Sequence, residues 1–252
     1  MTKLTKIIPP GLIIMLVAGL LSCQSGDLPE KPNVLFIAVD DLRPELNCYG
    51  KSQIHSPNID ALAAEGLLFQ QAYCNIPVCG ASRASLMTGI RPAINRFITY
   101  YTWADKDAPG IKTLPTLFRE NGYHTISNGK IFHNQSDSRE SWDENWRPEM
   151  STTWRDYQLL ENITKDTLSG REQRGPAWEC FDGPDSLYFD GKIALKSIRD
   201  LQKLKSLDKP FFLATGFLKP HLPFNATKKY WDMYDHDEIS LPGTDTLPLG
   251  LP

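Results

Sequence analysis

The chain sets short, continuous apolar runs among polar stretches that carry apolar residues at helical spacing. Val34 to Val39 reads Val-Leu-Phe-Ile-Ala-Val, and Phe211 to Phe217 is similarly apolar. Runs of this length predict strands buried on both faces, as in a parallel sheet covered by helices. Tyr123 to Ser127 predicts a further strand. Between them, Asn58 to Glu65 and Leu114 to Arg119 read as short helices. Lys192 to Leu207 reads as an amphipathic helix with Ile193, Leu195, Ile198, Leu201, Leu204 and Leu207 as its apolar residues. The expected class is α/β, a mainly parallel sheet flanked by helices. Ser136 to Asp190 is polar and Trp-rich and fits no period, so it is expected to form surface loops. There Trp142, Trp146, Trp154 and Trp178 either stack on sugar faces or pack as satellites of the core.

Composition narrows the picture. At 252 residues and 41% hydrophobic, the chain can bury a substantial core, and a net charge of −3 argues against a nucleic-acid partner. Five cysteines show neither a disulfide framework nor a paired metal-binding spacing. Lys3 and Lys6 precede an apolar segment, Gly11 to Leu21, that is too short to span a bilayer comfortably. Leu20-Leu21-Ser22-Cys23 resembles a bacterial lipobox. That implies a signal peptide over residues 1–22, lipid on Cys23, a polar tether over 23–32, and a lipid-anchored place in the bacterial cell envelope. An ordinary secretory peptide with an incidental cysteine is the alternative.

The candidate chemistry begins with Cys79-Gly80-Ala81-Ser82-Arg83. If Gly80 to Met87 is helical, Cys79 sits where unpaired backbone N–H groups favour negative charge, and Arg83 lies one turn on along the same face. A guanidinium and a helix amino end converging on one side chain suit a tetrahedral oxyanion such as sulfate or phosphate. Gly89 offers a helix stop. The same residues also fit a structural cysteine beside a surface arginine. Asp40 and Asp41 close the first apolar run, where ligands of open α/β sheets collect. Adjacent carboxylates there fit either a hard divalent metal or a turn facing water. Lys130 follows a strand, and His221 lies between Pro220 and Pro223 in a strand-end loop; each, like His133, reads equally as a surface residue.

Ordered motifs carry more weight than single residues. Asn33-Val34-Leu35 through Asp40-Asp41-Leu42-Arg43-Pro44, Cys48-Tyr49-Gly50, Ser56-Pro57-Asn58-Ile59-Asp60, Cys79 to Pro92, Gly129-Lys130-Ile131-Phe132-His133 and Lys219-Pro220-His221-Leu222-Pro223-Phe224 follow one another along the chain. In this order they resemble a type I sulfatase of the alkaline-phosphatase superfamily. The likeness is greatest to the branch that removes sulfate from 2-O-sulfated uronic acid in glycosaminoglycan degradation. The resemblance implies the amino-terminal portion of a sulfatase catalytic domain over residues 33–252. It implies that Cys79 is oxidised to formylglycine by a formylglycine-generating enzyme or an anaerobic sulfatase-maturing enzyme. It further implies that Asp40, Asp41 and residue 79 bind Ca2+ and that Arg83 holds residue 79. Lys130, His133 and His221 contact sulfate or move protons on this reading, and a sulfated glycan is the substrate. A hydrated aldehyde explains the modification: one oxygen attacks sulfur, and the other hydroxyl lets sulfate be expelled.

Departures from the family pattern set further expectations. Ala81 stands where proline is usual, which leaves the maturing enzyme open. Cys180 is expected to be unpaired, because Gln173-Arg174-Gly175-Pro176 holds no cysteine. The family completes its calcium site and adds a sulfate-binding lysine downstream of the point matching Pro252. The chain is therefore expected to be a truncated product or fragment that binds metal poorly. Two rival functions follow: a phosphodiesterase or phosphonate hydrolase of the same superfamily, and an inactive glycan-binding surface lipoprotein.

Overall fold

The structure is a computed structural model that describes residues 31–149, 153–168 and 174–240. The expected signal peptide, most of the tether with Cys23, and the Pro/Gly-rich stretch from position 241 lie outside the described residues. In chain order the strands are β1 (Val34–Val39), β2 (His124–Gly129), β3 (Glu144–Trp146), β4 (Trp178–Phe181), β5 (Phe211–Phe217) and β6 (Phe224–Thr227). The helices are α1 (Pro57–Glu65), α2 (Cys79–Thr88), α3 (Ala104–Asp107), α4 (Leu114–Glu120), α5 (Leu160–Leu168), α6 (Phe189–Leu204) and α7 (Lys228–Trp231). No helix among the described residues is long and apolar enough to cross a membrane.

Four strands form one parallel sheet in the order β1-β5-β2-β3, and β4 pairs with β6 in a second, two-stranded sheet. Register places Val39 beside Phe217 and Gly129 beside Gly216, so β1, β5 and β2 end at a common edge. Asp40, Lys130, Lys219 and His221 all follow that edge in sequence. The parallel pairing that makes these apolar runs strands is thus also what gathers the polar residues after them.

The main core lies under one face of this sheet, where Ala81, Ala84 and Met87 of α2 meet Tyr123, Trp142, Phe212 and Ala214. Phe118 of α4 stacks on Phe212 at 4.3 Å between centroids. On the other face α6 packs against β2 and β5 and buries Ile193 and Leu204. Its buried stripe is Phe189, Ile193, Ser197, Asp200 and Leu204, which differs from the predicted apolar stripe. Leu195 and Ile198 are exposed, and Leu207 lies beyond the helix. The reason is polar: Asn128 of β2 donates to Ser197 Oγ at 3.2 Å and to Asp200 at 2.8 Å, and Thr215 of β5 donates to Ser197 Oγ at 2.9 Å. Hydrogen bonding to the sheet, not hydrophobicity alone, sets the rotation of the helix.

Two further expectations are corrected. The prediction that β1 is buried on both faces fails, since Leu35 and Ile37 are 46% and 52% exposed while Val34, Phe36 and Ala38 pack inward. The stretch from 136 to 190 is not simply loops but holds β3, α5 and β4. Its buried centre is Glu179, whose carboxylate accepts from Gln158 N, Leu159 N, Asn162 Nδ2 and Tyr188 Oη. A polar centre of this kind leaves no hydrophobic period to read. Within the same stretch Trp142 is core, Trp146 lies in β3, and Trp178 packs on Trp231 at 5.2 Å.

Candidate active site

Cys79 opens α2, whose preceding residue Val78 is extended and whose end is capped by Gly89 at φ 70°. The next position, Gly80, lies against the backbone of Tyr100 so closely that a Cβ there would overlap the Tyr100 carbonyl. Only glycine lets the start of α2 seat this way. Cys79 is half-buried, and its Sγ lies 3.3 Å from His133 Nδ1.

Arg83 follows one turn further along α2 and is buried. Its guanidinium donates to Asp40 Oδ1 at 2.8 Å, to Ile131 O at 3.0 Å, and to Lys130 O. Lys130 Nζ donates to Asp40 Oδ2. Both oxygens of the buried Asp40 are therefore held by cations. Burial pushes its carboxyl up, but Arg83 and Lys130 together outweigh burial and keep it below the ordinary carboxylate range. The partners of Arg83 are thus Asp40 and the carbonyls of Lys130 and Ile131.

Arg147 was not singled out from sequence, because a lone arginine in an aperiodic stretch carries no signal. It donates from Nε to Gly129 O at 2.9 Å, from Nη1 to His133 O at 3.0 Å, and from Nη2 to Phe132 O. One guanidinium thus shapes the turn that carries Lys130 and His133. That turn starts at Gly129 with φ 77°, where a Cβ would overlap Gly216 O across the sheet. Burial, followed by the charges of Lys130 and Arg147, lowers the His133 pKa to about 4. His133 is neutral near pH 7 and can accept a proton there.

After β5 the chain turns through Lys219–Pro220 and Leu222–Pro223, both cis. Lys219 is buried enough that its pKa is lowered, and its Nζ donates to Pro223 O at 2.7 Å and His221 O at 3.2 Å. Asp190 of α6 accepts from Leu218 N and Lys219 N and so anchors the loop. His221 donates from Nδ1 to Leu222 O, the one role open to a nitrogen facing a carbonyl, and its Nε2 lies 3.9 Å from Asp41 Oδ2. Asp41 itself is exposed and left-handed at φ 55°, a conformation that aspartate tolerates.

Cys79, Lys130, His133, His221 and Asp41 line one cleft of about 720 Å3, together with Tyr100, Arg147, Trp154, Arg155, Arg174 and Lys219. Asp40 and Arg83 sit behind it. Calcium takes about six to eight oxygen ligands. Here Asp40 is occupied by two cations, Asp41 faces solvent, and no group of three metal-ligating side chains exists among the described residues. Cys48, Cys74 and Cys180 are free thiols.

A family model described as Sulfatase matches residues 32–245. Iduronate 2-sulfatase of Homo sapiens is 36% identical over 236 residues, which cover 91% of this chain and 42% of that protein. A protein described as a sulfatase from Formosa agariphila is 32% identical, over 94% of this chain and 51% of that one. Among solved structures, a phosphonate monoester hydrolase of Agrobacterium radiobacter superposes with a TM-score of 0.59 at 20% identity, covering 81% of this chain and 44% of that one. This last likeness bears on the fold. The chain spans about half the length of the curated relatives it matches.

Proposed function

Because the chain belongs to the sulfatase family, we propose that it is the nucleophile-bearing part of a sulfuric ester hydrolase, anchored by lipid at Cys23 in the bacterial envelope and acting on sulfated saccharides. By its likeness to iduronate 2-sulfatase, 2-O-sulfated uronic acid is the favoured target. The observation that carries the reading is the Cys79–His133 contact at the amino end of α2, in a cleft walled by Lys130, Arg147, Lys219 and His221.

Sulfatases as a family use formylglycine and a divalent metal ion. At position 79 a formylglycine hydrate would supply the attacking oxygen and a second hydroxyl for sulfate release. The neutral His133 ring is placed to take a proton from the group at 79. Lys130 and Lys219 line the same cleft and favour negative charge on sulfuryl oxygens, a preorganised electrostatic role. Arg83 and Asp40 position Lys130 from behind. His221 lines the same cleft, with Nδ1 committed to a carbonyl and Nε2 free to donate to a leaving alcohol when protonated. Asp40 and Asp41 are the residues that would face a metal; no step is assigned to one.

Mass spectrometry of the peptide containing residue 79, with sulfate release from defined disaccharides, tests the reading. Conversion of the thiol to the aldehyde and turnover of uronate-sulfated substrates are expected. An unaltered thiol in protein from its native host would remove the nucleophile and the mechanism with it. Turnover of phosphate diesters in preference to sulfate esters would favour the phosphoesterase alternative.

A further inference from the structure

The cations of the cleft differ in what holds them. Lys130 is bound to Asp40, Arg147 to three carbonyl oxygens, and Lys219 to the carbonyls of His221 and Pro223. Arg155 pairs with Asp166 at 2.9 Å and lies over the ring of Trp154, with Cζ 4.6 Å from its centroid. Arg174 also lines the cleft, is exposed, and has no hydrogen bond or ion pair among the described residues. Trp154, which lines the same cleft, is 45% exposed and stands edge-on to His221 at 5.6 Å. Of the tryptophans that the sequence offered for sugar stacking, Trp154 is the one that lines this cleft.

We propose that Trp154 and Arg174 form a subsite for an acidic sugar, the indole meeting the ring and the guanidinium a second anionic group besides the sulfate that is cleaved. This rests on the reading of the cleft as a sulfated-saccharide site. A neutral sugar leaves the Arg174 fork to water, whereas a carboxylate or a second sulfate ester gives it paired, charge-assisted hydrogen bonds. Either anion shares that chemistry. The stacked face adds affinity without reading charge. Recognition of the second anion is thereby assigned to residues other than Cys79, Lys130, His133 and His221, which line the same cleft.

Isothermal titration of the full chain tests this without requiring turnover. The probes are a monosulfated uronate disaccharide, the same compound with its carboxyl reduced to an alcohol, and a disulfated disaccharide without a carboxyl. The unaltered chain is expected to bind an acidic probe about tenfold more tightly than the reduced one, the scale of one charge-assisted hydrogen bond. Arg174→Gln should abolish that ratio and leave the reduced probe unchanged, and Arg174→Lys should restore part of it. Loss confined to the uronate probe identifies a carboxylate, and loss confined to the disulfated probe identifies a second sulfate. Equal binding of acidic and reduced probes, or a ratio that survives Arg174→Gln, overturns the subsite while leaving the sulfated-saccharide reading in place. Binding of no sulfated probe by the unaltered chain overturns both.

Discussion

β1 and β5 are neighbours in one sheet, paired residue for residue, and nearly as apolar as each other, yet they are held in different ways. β5 lies between β1 and β2, with Phe212 in the main core and Leu213 under α6, both almost wholly buried. β1 is at the sheet edge, and its outward residues Leu35 and Ile37 are about half exposed. What fixes its carboxyl end is charge: Asp40 is gripped by Arg83 and Lys130. The carboxyl end of β5 is bordered instead by Asp156 and Asp190, which burial pushes up. Packing secures the central strand, and an ion cluster secures the edge strand where the candidate chemistry sits.

The largest effect should come from breaking that cluster. Arg83→Met leaves Asp40 buried with one cation fewer, and loss of one partner of a buried pair costs about 3–5 kcal/mol. Urea denaturation should show this loss, and the added change Asp40→Asn should recover part of it. A loss under about 1 kcal/mol would mean that β1 is not held this way.

Packing supplies the second test. Leu213→Ala in β5 should cost about 2–5 kcal/mol, because it leaves a cavity between the sheet and α6. Leu35→Ala in β1 should cost less than about 1 kcal/mol, since its side chain is already half in water. Equal losses at the two positions would erase the contrast.

The smallest effect is one of pH. Burial raises the Asp156 carboxyl from 3.8 to about 6, against the backbone hydrogen bond from Phe189. Its proton is therefore bound more tightly in the folded chain, and the stability it contributes is full below pH 3.8 and is lost as pH rises through about 6. Between about pH 4 and pH 7 the unaltered chain should lose on the order of 2 kcal/mol relative to Asp156→Asn. Asp40 runs the other way: its lowered carboxyl gives stability present above the unfolded value and lost as pH falls. Parallel pH profiles for the unaltered chain and Asp156→Asn would show that burial does not raise Asp156.

Much of this was legible along the chain, because local chemistry suffices for it. The continuous apolar runs specified parallel strands, Gly89 marked the end of α2, and the ordered motifs from Asn33 to Phe224 specified the family. Cys79, Lys130, His133 and His221 were named from their motifs, and all four line the cleft. Arg147 and Arg174 were not, since an arginine in an aperiodic stretch shows its partners, or the want of them, only in three dimensions. The face of α6 was read correctly at Ile193, Leu201 and Leu204 and missed at Leu195 and Ile198, because a buried serine and aspartate look like surface residues until Asn128 and Thr215 are seen to bond them.

The sequence by itself determined that β1, β2 and β5 become strands and which residues follow their carboxyl ends, because a continuous apolar run and the polar residues that close it are short-range pattern. Only the tertiary structure decided which side of β1 stays bare, that Arg83 turns to Asp40 while His133 faces Cys79, and which tryptophan meets the cleft. Those outcomes depend on what a distant segment brings alongside, and the energy of a charge or an indole is set by that neighbour.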